Sequence, residues 1–174
     1  MSKNKQRVWD WPVRLLHWSL VGCITAAWLT RSQTGPAHEY FGYGAAAIVS
    51  LRVLWGWLGN SYARFTQFVR GGGATLAYLR LVLQGRAPRY LGHNPLGGWM
   101  VLGLLSCVAL LGVTGWSLGT ELLWGYAWPV NIHVTLGWLL LCMVALHLSG
   151  VIFTSWQHRE NLVAAMLTGD KPKD

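Results

Sequence analysis

Four long apolar stretches, at residues 12–30, 38–58, 96–118 and 132–154, alternate with segments in which charge, glycine and proline collect. Each is long enough, at ~20 residues, to cross the hydrocarbon core of a bilayer as a helix. The last lies within a longer run, 122–158, that contains no Asp, Glu, Lys or Arg. The pattern predicts an all-α membrane protein, a four-transmembrane-helix bundle forming a single domain over residues 1–174. Residues 74–84 are different. They carry Leu76, Leu79, Leu81 and Leu83 with Tyr78 and Arg80, lie between Gly71-Gly72-Gly73 and Gly85, and are too short to cross. A short cytoplasmic surface helix between spans two and three is predicted there, covering the inner ends of the bundle or docking a partner. The first stretch holds His17 and lacks a small-residue cleavage site, so it is expected to remain a span and not a removed signal peptide.

Composition agrees with membrane residence, since 53% of residues are apolar, 11% are charged and 12 are tryptophan. The charges are unevenly spread. Lys3, Lys5 and Arg7 precede the first span and Arg14 stands at its start, Arg64, Arg70, Arg80, Arg86 and Arg89 separate the second from the third, and Arg159, Lys171 and Lys173 follow the fourth. With four spans all of these share one side, which the positive-inside rule makes cytoplasmic. Both termini are therefore expected in the cytoplasm. Arg31 lies on the other side, with Glu39 and Glu121. The net charge of +8 is then explained by topology and anionic membrane lipid, and no nucleic-acid partner is implied.

Trp9, Trp11, Trp55, Trp57, Trp99 and Trp156 fall near the inner border, and Trp28, Trp116, Trp124 and Trp128 near the outer one, as interfacial belts do. Trp18 and Trp138 lie deeper and pack on a helix or on a cofactor. Cys23, Cys107 and Cys142 stand alone in three different spans, so neither a disulfide framework nor a metal-binding cysteine cluster is indicated. No Cys-x-x-Cys-His motif is present, and a haem would have to be held without covalent attachment.

Ionisable groups at membrane depth usually mark function, and four histidines stand there. His133 and His147 are 14 residues apart in the fourth span, ~21 Å of helix rise, and leave roughly the same face at two depths. His17 matches the inner depth of His147. His38 opens the second span at the outer side, where His133 opens the fourth. Two pairs at matched depths point to two non-covalent b haems, held by His17 with His147 and by His38 with His133. Arg52 follows His38 by the same 14 residues, which brings it to the inner depth. It either grips a haem propionate or snorkels to the headgroups. Gly42, Gly44 and Gly137 lie within about one turn of a ligand histidine and either clear space for porphyrin or serve helix packing. His93, in a loop where Asn94 can cap a helix beginning at Pro95, faces solvent, an inner propionate or a quinone headgroup. His158 reads as a solvated tail residue.

These residues resemble a known family. The opening Val8-Trp9-Asp10-Trp11-Pro12-Val13-Arg14-Leu15-Leu16-His17-Trp18, the start of the second span His38-Glu39-Tyr40-Phe41-Gly42-Tyr43-Gly44, Arg52-Val53-Leu54-Trp55-Gly56, the loop Gly92-His93-Asn94-Pro95-Leu96-Gly97 and the pair His133 and His147 are similar to bacterial cytochrome b561, in the group that includes the b-type cytochrome subunit of nickel-iron hydrogenases. The resemblance runs from about Val8 to Arg159 and implies the same histidine pairing around two b haems. It further implies electron exchange between the quinone pool and a periplasmic redox partner.

Two histidines per iron fill both axial positions, which favours electron transfer over oxygen binding. The expected function is that of an electron-transfer subunit serving a periplasmic hydrogenase, dehydrogenase or c-type cytochrome. A self-contained superoxide:quinone oxidoreductase is the alternative enzyme reading, although steering an anion needs more than Arg31 beside two glutamates. A haem-free channel whose histidines relay protons is a third. The sequence leaves open whether the chain forms a homo-oligomer.

Overall fold

The computed structural model describes residues 5–173, apart from the side chain of Leu122. Lys3, part of the amino-terminal basic group, lies outside the described residues. Nine regular elements follow in order: β1 (Lys5–Arg7), α1 (Trp11–Thr30), α2 (Ala37–Leu58), α3 (Phe65–Phe68), α4 (Gly72–Leu83), α5 (Pro95–Leu118), α6 (Ala127–His158), α7 (Leu162–Thr168) and β2 (Asp170–Pro172). Single 3-10 turns occur at Ser61–Ala63 and Glu121–Leu123. Helices α1, α2, α5 and α6 are long and apolar enough to cross a membrane. The predicted spans and the short α4 between the second and third are thus present.

Local chemistry sets the helix ends. Asp10 Oδ1 accepts the Val13 N–H at 2.9 Å, capping α1, and Pro12 occupies a first-turn position whose N–H would have no helical partner. Asn94 Oδ1 likewise accepts from Gly97 N at 2.7 Å, with Pro95 as the first residue of α5. Helix α4 ends at Gly85, where the backbone turns left-handed (φ 68°) and the Arg86 N–H returns to Leu81 O. Helix α6 closes in the same way on Arg159 (φ 51°), with Glu160 N donating to Ser155 O.

At 32 residues, α6 exceeds the expected 132–154 span at both ends. Its length, ~48 Å, is greater than the hydrocarbon thickness. Pro129 does not stop it, because a proline in the first turn removes an N–H that has no acceptor within the helix. Trp128 accordingly stands on a helix and not in a loop.

The chain divides into two compact units. The first comprises residues 1–14, 54–102 and 146–174. In it β1 and β2 pair antiparallel, with Gln6 opposite Lys171, so the segments before α1 and after α7 meet. Val8, Trp9, Val13, Ala63 and Ala165 form a buried cluster, against which Trp55, Tyr62, Leu91 and Met166 pack. The Trp55 indole donates to Asp10 Oδ2 at 3.0 Å, so one carboxylate both caps α1 and holds α2. Trp9 is thus buried within the protein and Trp55 is half-buried against the same cluster. Gly169 (φ 91°) ends α7, and a Cβ there would come within 2.6 Å of Trp9 O. The Arg14 guanidinium reaches Leu167 O, joining α1 to the end of α7. Lys171 is buried, with Nζ 3.5 Å from Glu160 Oε2 and donating to Tyr90 O at 3.3 Å. Arg89 completes this group on Glu160 Oε1.

The second unit comprises residues 15–53 and 103–145. Small residues bring its helices together. A Cβ on Gly112 would lie 2.9 Å from the Ala46 Cβ, and one on Gly103 would lie 2.7 Å from the Met143 Cε. Without a hydrophobic driving force between helices in lipid, such close backbone approach is the main source of attraction. Ala45, Val49, Cys107, Val108 and Leu140 are buried here.

Candidate functional site

His38, the second residue of α2, and His133, two turns into α6, face one another in the second unit. Their ring centres are 6.1 Å apart and their planes stand at 87°. Each ring is fixed from behind by its Nδ1. His38 Nδ1 lies 2.8 Å from Ala27 O. A carbonyl only accepts, so this nitrogen carries a proton, and in the neutral ring that leaves the lone pair on Nε2.

His133 Nδ1 lies 2.9 Å from Thr114 Oγ1. The Thr114 hydroxyl donates its own proton to Leu110 O at 2.8 Å, one turn back along α5. With its proton so placed, its oxygen is free to accept from His133 Nδ1–H, the tautomer in which a neutral ring keeps its lone pair on Nε2. Gly115 permits the approach, because a Cβ there would meet His133 Cε1 at 3.2 Å. Each imidazole is thus held at Nδ1 by an outer partner in the manner typical of metal-binding histidines.

An imidazole nitrogen binds a metal ion at ~2.0 Å, so two rings on opposite sides of one ion hold their centres roughly 6 Å apart. The His38–His133 spacing fits that arrangement. Among the described residues, no group of three or more His, Cys, Asp or Glu is placed to hold a metal ion. Two imidazoles alone suit an iron whose remaining ligands come from a porphyrin. In the same unit, Trp28 meets Trp138 edge to face at 5.1 Å, and the Arg31 guanidinium lies 4.2 Å over the Trp28 ring.

The other sequence-predicted residues are distributed as follows. His17 is half-buried on α1 in the second unit, edge to face with Trp18 at 5.2 Å. His147 is half-buried on α6 in the first unit. Arg52 lies in the second unit and is only 7% exposed, which argues against a side chain extended to the headgroups. A Cβ on Gly42 would meet nothing, while Gly44 faces Cys23 Sγ and Gly137 faces Trp28. His93 is half-buried. It is sandwiched in the first unit between Trp9 and Phe68, each with its ring centre 4.7 Å away. His158, at the end of α6, is half-buried and not fully solvated.

Thr114 and Gly115 were not singled out by sequence pattern as part of a site. Their adjacency near the carboxy-terminal end of the third span, which lies at the same end of the bundle as His38 and His133, is the signal that finds them.

The family model for prokaryotic cytochrome b561 matches residues 8–169. The chain belongs to that family. Two curated relatives are similar along nearly the whole chain. A protein of Rhizobium leguminosarum bv. viciae, described as a probable Ni/Fe-hydrogenase B-type cytochrome subunit, is 25% identical over 216 aligned positions, covering 98% of this chain and 90% of the relative. One of the same description from Bradyrhizobium diazoefficiens is 24% identical, covering 94% and 85%. No solved structure matches the chain. As a cytochrome b561 the protein is a helical membrane protein that carries haem b and transfers electrons. The resemblance read from the histidine and glycine-histidine-asparagine-proline segments is the correct one.

Proposed function

We propose that this cytochrome b561 holds two b haems and passes electrons between the quinone pool and a periplasmic redox partner, in the inner membrane with both termini cytoplasmic. The observation that carries the reading is the His38–His133 pair, 6.1 Å between ring centres with both Nδ1 atoms engaged by the protein. His38 and His133 hold the outer haem. His17 and His147 hold the inner one, an assignment that rests on their matched depth in the sequence. Haem b supplies a one-electron couple. The chain's part would be to supply two imidazoles to the iron of each haem, to hold His38 and His133 by their Nδ1 atoms so that Nε2 is presented, and to surround the site with apolar helix faces. Arg52, buried and at the inner depth, pairs with a propionate of the inner haem.

A partner of the hydrogenase type is favoured by the descriptions of both relatives. Membrane lipid surrounds the spans, and quinone or quinol is the mobile partner within it. Stopped-flow spectroscopy with a quinol analogue tests the reading. Haem reduction by quinol, or oxidation by quinone, is expected at some applied potential. Absence of exchange at every potential defeats the quinone link, and reduction by superoxide alone near the diffusion limit favours a superoxide:quinone oxidoreductase instead.

A further inference from the structure

The two histidines of the 6.1 Å pair have unequal outer partners. His38 donates to a backbone carbonyl, Ala27 O, which no substitution removes. His133 donates to a side chain, the Thr114 hydroxyl. The helix carbonyls of Leu110, 2.8 Å away, and Leu111, 3.2 Å away, offer that hydroxyl's proton an acceptor, which frees its oxygen to accept from His133 Nδ1–H. Threonine in a helix adopts this back-bonded rotamer readily. Gly115 leaves room for the ring to reach it.

We propose that Thr114 sets the reduction potential of the haem bound by His133, acting through that histidine as a positioning residue. The inference rests on the reading of His133 as a haem ligand. Donation from Nδ1–H to an acceptor shifts electron density toward Nε2, makes the imidazole a stronger donor to iron, and stabilises the ferric state. The hydroxyl therefore lowers the potential of this site, and it also fixes the tautomer that presents Nε2. A methyl group in its place leaves Nδ1–H without that acceptor. The ligand weakens, and the potential rises.

The test is potentiometric titration of the purified full-length holoprotein, wild type against Thr114→Val and Thr114→Ser. Thr114→Val is expected to raise one midpoint potential and leave the other in place, with an altered ferric low-spin electron paramagnetic resonance signal for the shifted haem. Thr114→Ser keeps the hydroxyl and is expected to match wild type in both measurements. The proposal is overturned if Val leaves both potentials unchanged, or if Ser shifts as far as Val. Where the Val variant holds no haem at that site, Thr114→Ala takes its place; if Ala also holds none, the hydroxyl serves assembly and not tuning, and the proposal fails. Haem content of His133→Ala separates the two levels. Full retention there removes the ligand assignment itself, whatever Thr114 does.

Discussion

Lys171 and Glu160 form a buried ion pair at 3.5 Å, with side chains only 4% and 8% exposed. Arg89 shares the same carboxylate, so Glu160 answers two cations and ties β2 to the loop before α5. Removing the carboxylate leaves an ammonium desolvated without its partner, whereas removing the ammonium leaves Glu160 with Arg89. Glu160→Gln is therefore expected to destabilise the pairing of the chain ends by about 3 kcal/mol, and Lys171→Met to be near neutral. Thermal unfolding followed by tryptophan fluorescence checks this. Equal losses in the two variants would show that the asymmetry is absent.

The same pair carries a pH dependence. Burial pushes the Lys171 ammonium below its usual pKa of 10.5, and the Glu160 charge opposes this only in part. The unfolded chain then holds this proton to higher pH than the folded one, so stability rises with pH through the interval below 10.5. Burial raises the Tyr78 phenol and acts in the opposite sense at alkaline pH. The difference between wild type and Lys171→Met isolates the lysine. Wild type is expected to gain stability relative to the variant as pH climbs from neutral toward 10, and a relative loss would reverse the assigned sign.

Asp10 is a third point of leverage, because its two oxygens serve separate elements. One accepts the Val13 N–H and the other the Trp55 indole N–H. Asp10→Ala removes a helix cap and a hydrogen bond to a part-buried indole, for a loss of about 2 kcal/mol. Asp10→Asn keeps one acceptor oxygen and is expected to cost less. Melting temperatures of the two variants, with the Trp55 emission as a local probe, distinguish the cases.

Those long-range links also mark where sequence reading ends. The spans, the α4 helix and the Asn94-Pro95 start of α5 were legible because apolar length and cap chemistry are local. The β1–β2 pairing was not, since three-residue strands at opposite ends of a chain carry no periodic signal. It is this pairing that buries Lys171. Helix α6 outran its predicted limits because Pro129 falls where proline is harmless and because the run 122–158 has no charge to end it. At the site, the histidines stood out as ionisable groups at membrane depth. Thr114 did not, because a threonine in a span is ordinary until an imidazole is found 2.9 Å away.

Pairing of β1 with β2 requires the segments before α1 and after α7 to lie on one side of the membrane. Together with the lopsided arginines and lysines, this predicts a cytoplasmic carboxy terminus. A fluorescent protein fused after Lys173 is expected to fluoresce, and alkaline phosphatase at the same point to be inactive. Phosphatase activity there would exchange the inner and outer labels of both haem sites.

The final prediction concerns ligand pairing. If His38 and His133 serve one iron, replacing either with alanine should remove the same haem, and the same redox transition should vanish in both variants. His17→Ala and His147→Ala should remove the other. Wild type is expected to give two acid-acetone-extractable b haems per chain by pyridine haemochrome, since no attachment cysteines are present. Gly115→Ala is a finer probe of the outer site. Its Cβ would press on His133 Cε1 from 3.2 Å and push the ring from the Thr114 hydroxyl, so partial loss or an upward potential shift is expected at the His38–His133 haem alone. Potentiometric titration of these five variants decides the matter: a transition lost in both His17→Ala and His38→Ala would break the pairing, and a Gly115→Ala effect on the other haem would detach Thr114 from the outer site.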